Sequence, residues 1–194
     1  GLDPRPDSES LIELVFENFI NKNKNIKILE LGIGSGCLII TLLKAYKEAQ
    51  GTAVDISDEA LKVAAKNIQL HHLENRLKLI RSDLFLALAD EKFDLIISNP
   101  PYIPSQEIEF LQEEVKSHEP ITALDGGLDG LDFYRAIAKK AQAFLNENGR
   151  IIVEIGFGQA FDVKEIFIKN NFEFMSQKLD LSGVVRALCF KIKF

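Results

Sequence analysis

The chain of 194 residues holds two cysteines, three histidines and no long apolar run, and each scarcity removes a class of protein. Cys37 and Cys189 both fall within apolar segments. Two such residues cannot build the disulfide framework of a small secreted domain, and the simplest reading is a pair of reduced, buried thiols in a cytoplasmic protein. His71, His72 and His118 have no further ligand cluster at useful spacing, so neither a structural nor a catalytic metal is expected. No uninterrupted apolar stretch reaches membrane-spanning length, and no secretory leader is visible. A nucleophile elbow with Ser, Asp and His in hydrolase order is missing, as is the GxxxxGK[ST] loop that cradles nucleotide phosphates. An excess of basic charge is lacking too. With 23 Lys and Arg against 29 Asp and Glu the net charge is −6, so the chain as a whole offers no basic face to nucleic acid, although a local patch is compatible with an acidic average. The balance tilts toward a protein or small-molecule substrate.

What is present is an alternating α/β pattern. Helical spacing of apolar residues near 8–20, 36–48, 58–71, 130–145 and 158–170 alternates with apolar strands near 26–31, 51–55, 77–81, 93–98 and 149–155. Such alternation predicts a parallel sheet covered on both faces. The last two runs, FEFMSQKLD and RALCFKIKF, have no helix between them and are joined by LSGVV, which predicts an antiparallel pair at the sheet edge. No linker or repeat divides the chain, and with 46% hydrophobic residues it can bury one full core.

Four strand ends carry the chemistry. The segment IKILELGIGSG ends a strand in Gly32-x-Gly34-x-Gly36 before a helical stretch. Small residues there let a ligand approach the backbone and meet helix N-terminal N–H groups. It is not the GxGxxG dinucleotide fingerprint, because the third glycine comes one place early and Cys37 follows; alone, the turn is also compatible with a structural role. The run GTAVD then places Asp55 about 20 residues past that loop, the separation expected for a carboxylate accepting hydrogen bonds from ribose hydroxyls. The alternative makes Asp55 the N-cap of the next helix, but Ser57 and Asp58 stand nearer its start. At a third strand end, Asp83 or its adjoining backbone is a candidate contact for an adenine ring, with Leu84 as an apolar wall.

The fourth strand end is Asn99-Pro100-Pro101-Tyr102, directly after FDLIIS. An amide or ring amine has its lone pair delocalised into a π system and attacks an electrophile poorly unless its N–H bonds are polarised and its geometry is fixed. Asn99 supplies a side-chain carbonyl for one N–H and Pro100 a backbone carbonyl for the other. The two prolines restrict φ and bring no competing N–H, and Tyr102 can press its ring on the planar group. Plain strand-to-loop punctuation is the alternative. Leu31, Asp55, Asp83 and Asn99 would then lie along one edge of a parallel sheet, where open α/β folds hold ligands. The stretch near 104–128, with SQEIEFLQEEVKSHEP and TALDGGLDG, reads as a short helix and a loop over that cleft, or as a connection only.

Taken together these residues resemble a known family, the S-adenosylmethionine-dependent protein-(glutamine-N5) methyltransferases that act on bacterial peptide chain release factors. The resemblance rests on Pro4-Arg5-Pro6-Asp7-Ser8-Glu9, Leu29-Glu30-Leu31-Gly32-Ile33-Gly34-Ser35-Gly36, Asp55, Ser82-Asp83-Leu84-Phe85, Asn99-Pro100-Pro101-Tyr102-Ile103, Glu119-Pro120 with Ala123-Leu124, and Asp180-Leu181-Ser182-Gly183. The first element and Glu119-Pro120 set it apart from other amino methyltransferases, some of which share the Asn-Pro-Pro-Tyr tetrapeptide and methylate adenine N6.

The resemblance implies a Rossmann-like class I methyltransferase fold, a mostly parallel seven-stranded sheet with an antiparallel C-terminal edge. It implies that Gly32, Ile33, Gly34, Ser35 and Gly36 hold the methionine part of S-adenosylmethionine, Asp55 the ribose, and Asp83 and Leu84 the adenine. Asn99 stands at both cofactor and substrate. With Pro100, Pro101 and Tyr102 it grips the glutamine amide of a Gly-Gly-Gln loop, and Asn99, Pro100 and Tyr102 act in catalysis. S-adenosylhomocysteine is the implied product and release factors the implied partners, for a cytoplasmic monomer with no membrane and no direct nucleic-acid contact. Leu84 replaces an aromatic found in relatives. The family carries a small helical N-terminal domain that helps recognise the release factor; this chain begins just before Pro4-Arg5-Pro6 and is expected to be a fragment comprising the catalytic domain, residues 1–194. Two other readings stand beside this one: an adenine-N6 methyltransferase on DNA or RNA, and an idle methyltransferase-like interaction module.

Overall fold

The structure is a computed structural model that describes residues 6–108 and 121–194. Its elements in chain order are α1 (Pro6–Asn18), β1 (Lys27–Leu31), α2 (Cys37–Ala45), β2 (Gln50–Asp55), α3 (Asp58–Leu70), β3 (Leu77–Arg81), β4 (Phe93–Ser98), α4 (Ser105–Ile108), α5 (Ile121–Leu124), α6 (Asp132–Lys140), β5 (Leu145–Glu154), α7 (Ala160–Lys169), β6 (Phe172–Leu179) and β7 (Val185–Ile192). The sheet order is β3-β2-β1-β4-β5-β7-β6, with parallel ladders from β3 to β5 and antiparallel ladders joining β7 to β5 and to β6. The strand order reverses between β1 and β4, the place where doubly wound sheets open a crevice at their carboxyl ends.

Successive strand residues feed opposite cores, which is why these strands read as continuous apolar runs. Ile28, Leu95, Ile97 and Ile152 pack on one face with Leu11, Leu14 and Val15 of α1, with Leu42 and Leu43 of α2, and with Ala64 and Ile68 of α3. Leu29, Leu31, Ile96, Ile151 and Val153 face Tyr134 and Ile137 of α6 and Val163 and Phe167 of α7. The spacing of Leu11, Leu14 and Val15 is the i, i+3, i+4 stripe of a helix with one buried face. α3 begins at Ser57, whose hydroxyl accepts from the Ala60 N–H at 3.2 Å, and Asp58 and Glu59 add favourable charge to its first turn.

Several boundaries differ from the periodicity. α2 ends at Ala45 rather than near 48, because the buried Tyr46 donates its hydroxyl to the Phe19 carbonyl at 2.6 Å and turns the chain into β2. The helix expected to run to 145 stops at Lys140, and one turn of 3-10 helix, Ala141–Phe144, leads directly into β5. β5 itself starts at Leu145, four residues early: Leu145 pairs with Phe93, the register slips before Arg150 meets Leu95, and Asn146 binds the Asp94 carboxylate at 2.9 Å. Polar Asn-Glu-Asn is thus an irregular stretch within the strand, which alternation alone does not reveal.

Cys189 is buried as expected, and burial pushes its thiol up to about 12. Cys37 is not fully buried; it opens α2 beside the glycine-rich loop. Among the described residues no helix is long and apolar enough to cross a membrane, and no cluster of three His, Cys, Asp or Glu could hold a metal. Pro4-Arg5, His118, Glu119-Pro120 and most of the SQEIEFLQEEVKSHEP stretch lie outside the described residues.

Candidate functional site

The carboxyl ends of β3, β2, β1 and β4 stand side by side, which brings the predicted residues to one edge. After β1 the chain turns sharply: Gly32, Gly34 and Gly36 take φ of 75°, 54° and 86°. The N–H groups of Gly32 and Ile33 donate to the Val54 carbonyl at 2.9 and 3.0 Å, pulling the loop onto β2. Gly36 is needed for its left-handed φ, and a β-carbon there would also lie close to Ile40 Cδ1, at 3.2 Å. Nothing lies within 4 Å of a β-carbon built on Gly32 or Gly34, so this side of the loop is open to a ligand. Ile33 plays a different part from its neighbours. Its side chain is buried, its N–H goes to Val54 and its carbonyl accepts from Gly36, so it supports the loop from beneath.

Asp55 is not a helix cap, since Ser57 fills that role. One Asp55 oxygen accepts from the Ser57 N–H at 2.9 Å, the other from Gly34 N–H at 3.3 Å, which ties the carboxylate to the glycine loop. Each oxygen keeps a further lone pair for a ligand hydroxyl. Beyond β3, Asp83 is exposed and Leu84 half-buried. Leu84 holds φ at 49°, an uncommon conformation for a residue with a side chain. The Ser82 hydroxyl stabilises it by donating to the Leu84 carbonyl at 2.7 Å while accepting from the Ala87 N–H at 2.8 Å. Ile56, 61% exposed at the neighbouring strand end, adds a second apolar surface that the sequence reading passed over.

Glu30 carries the most unusual electrostatics. It is buried in β1, just before the glycine loop, and its Oε1 has no hydrogen-bond partner among the described residues. Burial raises its carboxyl well above the usual carboxylate range; an Ile39 N–H favours the ionised form, and the negative charge of Asp55 opposes it. An unpaired buried carboxyl next to open backbone is a receptor for a cationic or N–H-bearing group.

The Asn-Pro-Pro-Tyr loop is the next strand end along. Ser98, at the end of β4, donates its hydroxyl to the Leu31 carbonyl at 2.8 Å, so Asn99 and Gly32 follow from directly paired residues, Ser98 and Leu31. Adjacent strands run about 5 Å apart. Pro100 is buried, while Asn99, Pro101 and Tyr102 are half-buried. The Asn99 side chain makes no hydrogen bond to any described residue. Beyond Tyr102 the backbone is clasped to the 124–127 segment, Ile103 N–H donating to Leu124 at 3.1 Å, Gly126 N–H to Ile103 at 2.8 Å and Ser105 N–H to Gly127 at 2.8 Å. Asp125 locks this clasp by accepting from the Ser105 hydroxyl at 2.7 Å and Gly127 N–H at 2.9 Å, and these two bonds hold its carboxyl below the usual range. A surface cleft of about 450 Å³ between α6 and α7, lined by charged residues such as Arg135, Lys139 and Glu165, contains none of the predicted site residues.

Two contacts escaped the sequence reading. Asn67 of α3 donates to the Ser35 carbonyl at 2.8 Å and steadies the glycine loop, and Gln159 holds the Tyr102 carbonyl at 2.9 Å. Both are polar residues at helical positions, and only the packing of distant segments reveals their partners.

An open glycine loop, a carboxylate at the next strand end and a polar strand end beside it on a seven-stranded mixed sheet constitute the Rossmann-like fold of class I S-adenosylmethionine-dependent methyltransferases. The chain belongs to the methyltransferase small domain family, whose model matches residues 7–117, and to the release factor glutamine methyltransferase family in which its relatives fall. It is 42% identical over 193 residues to the release factor glutamine methyltransferase of Agrobacterium fabrum, covering 98% of this chain and 66% of that protein. Identity to the protein of the same name from Thermodesulfovibrio yellowstonii is 38% over 188 residues, 96% of this chain and 67% of that one. A crystal structure of a release factor-specific protein-(glutamine-N5) methyltransferase from Alicyclobacillus acidocaldarius superposes with a TM-score of 0.60 at 25% identity, over 100% of this chain and 96% of the other. The chain spans between 31% and 67% of the length of the curated relatives it matches, and 66% of the Agrobacterium protein.

Proposed function

We propose that this chain transfers a methyl group from S-adenosylmethionine to the side-chain amide nitrogen of a glutamine, that of the Gly-Gly-Gln motif in peptide chain release factors. The observation that carries the reading is the Ser98–Leu31 bond, which sets the strand end leading into Asn-Pro-Pro-Tyr directly beside the one leading into the glycine loop. The relatives named for this activity support the substrate.

The residues present fit the cofactor. Gly32 and Gly34 leave open backbone for its methionine part, the unpaired Glu30 oxygen suits that part's ammonium, Asp55 can accept from the ribose hydroxyls, and Ile56 and Leu84 offer apolar surface to the adenine. Asp83, exposed beside Leu84, is the polar contact at that end. When bound, S-adenosylmethionine supplies an electrophilic methyl on a sulfonium.

The chain's own residues do the positioning. The Asn99 side-chain carbonyl accepts one N–H of the substrate amide and the Pro100 carbonyl the other, which turns the nitrogen lone pair toward the methyl, while Pro101 keeps the loop stiff and free of donors. Tyr102 limits rotation of the planar amide. No general base is required before attack, because the methylated nitrogen is acidic enough to release its proton to a carbonyl or water. Catalysis is therefore proximity and fixed dipoles. The clasp at 124–127 holds the loop. We place the enzyme in the cytoplasm, as a monomer acting on protein rather than nucleic acid.

The test is labelled methyl transfer with purified release factor and unmethylated DNA offered in parallel. Label on the release factor supports the proposal; label on DNA adenine contradicts it.

A further inference from the structure

We propose that Gln159 is a positioning residue for the methyl-transfer site, a latch that fixes Tyr102 by binding backbone groups of three separate segments. The inference rests on the reading that Tyr102 borders the substrate amide. Gln159 Nε2 donates to the Tyr102 carbonyl at 2.9 Å and to the Gly130 carbonyl at 3.4 Å, and Oε1 accepts from the Gly156 N–H at 2.8 Å. Two carbonyls on one side and an N–H on the other leave a single orientation of the amide consistent with all three partners.

The position makes the arrangement informative. Gln159 is the N-cap residue of α7, yet its side chain makes no capping bond. A Ser, Thr, Asp or Asn in that place ordinarily serves the first turn of its own helix, and the longer Gln159 is released from that task. Here it reaches instead to a loop 57 residues away.

Glycines complete the seat around Tyr102. A β-carbon on Gly126 would lie 2.7 Å from Tyr102 Cα, one on Gly156 would lie 2.6 Å from its Cδ2, and one on Gly130 would collide with its carbonyl oxygen. The backbone of 126, 130 and 156 thus closes on Tyr102 from three directions, leaving room for no side chain. Gln159 is the polar group that joins two of those walls to the tyrosine. A shift of an ångström at the end of the tetrapeptide would misplace the substrate acceptors, while the cofactor loop is anchored elsewhere, on Val54 of β2 and Asn67 of α3.

The discriminating variant is Gln159→Glu. It keeps the length of the side chain and the acceptor for Gly156 N–H, and it sets a carboxylate against the Tyr102 and Gly130 carbonyls. Gln159→Leu, which removes all three bonds at similar bulk, serves if the first variant folds poorly. The chain has three tyrosines and no tryptophan, so ring-labelled tyrosine NMR resolves the site directly, Tyr102 being assigned with Tyr102→Phe. Tyr46, buried in the core on the other face of the sheet, is the internal control for folding.

The expected result is a displaced Tyr102 signal with Tyr46 unmoved, kcat on release factor lowered by about tenfold to a hundredfold, and S-adenosylhomocysteine affinity within about twofold of wild type. An unmoved Tyr102 signal overturns the latch. So does a displaced Tyr102 with unchanged kcat, or cofactor affinity that falls in step with kcat. Should the wild-type chain leave release factor unlabelled, the glutamine reading fails, and the tyrosine spectrum still decides whether Gln159 holds Tyr102.

Discussion

The buried Ser98 hydroxyl donates to the carbonyl of Leu31 at 2.8 Å, linking the ends of the two strands that lead into the candidate cofactor and substrate loops. The bond closes the β1–β4 ladder at the point where the two loops leave it. Ser98→Ala is expected to lower unfolding free energy by about 1 kcal/mol, the net worth of a typical intramolecular bond, and to reduce kcat more than it weakens cofactor binding. Chemical denaturation alongside steady-state kinetics checks both; an unaltered kcat would show that the bond does not set the subsite spacing.

Asn99 and Asp55 should separate cleanly. Asn99→Ala removes an acceptor that matters once the substrate amide is being turned, so kcat is expected to fall by roughly a hundredfold or more with cofactor affinity nearly unchanged. Asp55→Ala should instead weaken S-adenosylhomocysteine binding by about 1.5 to 3 kcal/mol, the range for hydrogen bonds to a charged group. Calorimetric titration of both variants is the check. Equal loss of affinity in the two would remove Asn99 from the substrate subsite.

These two residues also mark how much of the molecule can be read without coordinates. Continuous apolar runs mark the strands and period-3.6 spacing the major helices, and residues at strand ends in a parallel sheet must share an edge, so Gly32, Asp55, Asp83 and Asn99 are legible from order alone. What local pattern does not encode is long-range contact. Asn67 reads as an ordinary polar helix residue, and Gln159 as an ordinary residue before α7, until tertiary packing brings them to Ser35 and Tyr102. Glu30 was visible within the loop motif, but its missing partner depends on how the sheet is covered. The early start of β5 escaped for a similar reason, since Asn146 is held there by Asp94 of another strand.

Glu30 is expected to make the stability of the ligand-free protein fall as pH rises above the ordinary carboxylate range. On unfolding its carboxyl returns to an ordinary value near 4.5, while burial keeps the folded group protonated to higher pH. As pH rises above 4.5 the unfolded chain loses a proton that the folded chain retains, so stability declines until the folded group also ionises. Glu30→Gln should flatten this part of the profile and raise Tm at neutral pH, and, if Glu30 pairs with the cofactor ammonium as proposed, weaken S-adenosylhomocysteine binding. Thermal melts from pH 4 to 8, an interval of about 4 units set by the carboxyl range, provide the check; a variant profile parallel to wild type would contradict it.

Leu84 offers a case where stability and binding diverge. Its left-handed φ costs about 1 kcal/mol for a residue with a β-carbon, so Leu84→Gly relieves that strain but gives up side-chain contacts and adds unfolded-state freedom. Stability should change little, while S-adenosylhomocysteine affinity falls because the apolar wall beside the adenine is gone. Unchanged affinity would mean that Leu84 does not line the adenine subsite.

The most direct test of the account is fragment-ion mass spectrometry of the Gly-Gly-Gln peptide from release factor incubated with this chain and S-adenosylmethionine, with Asn99→Ala as the control. The account predicts one added methyl group, localised to the glutamine side-chain amide and nearly absent with the variant. A methyl group on any other residue, or equal methylation by Asn99→Ala, would contradict it.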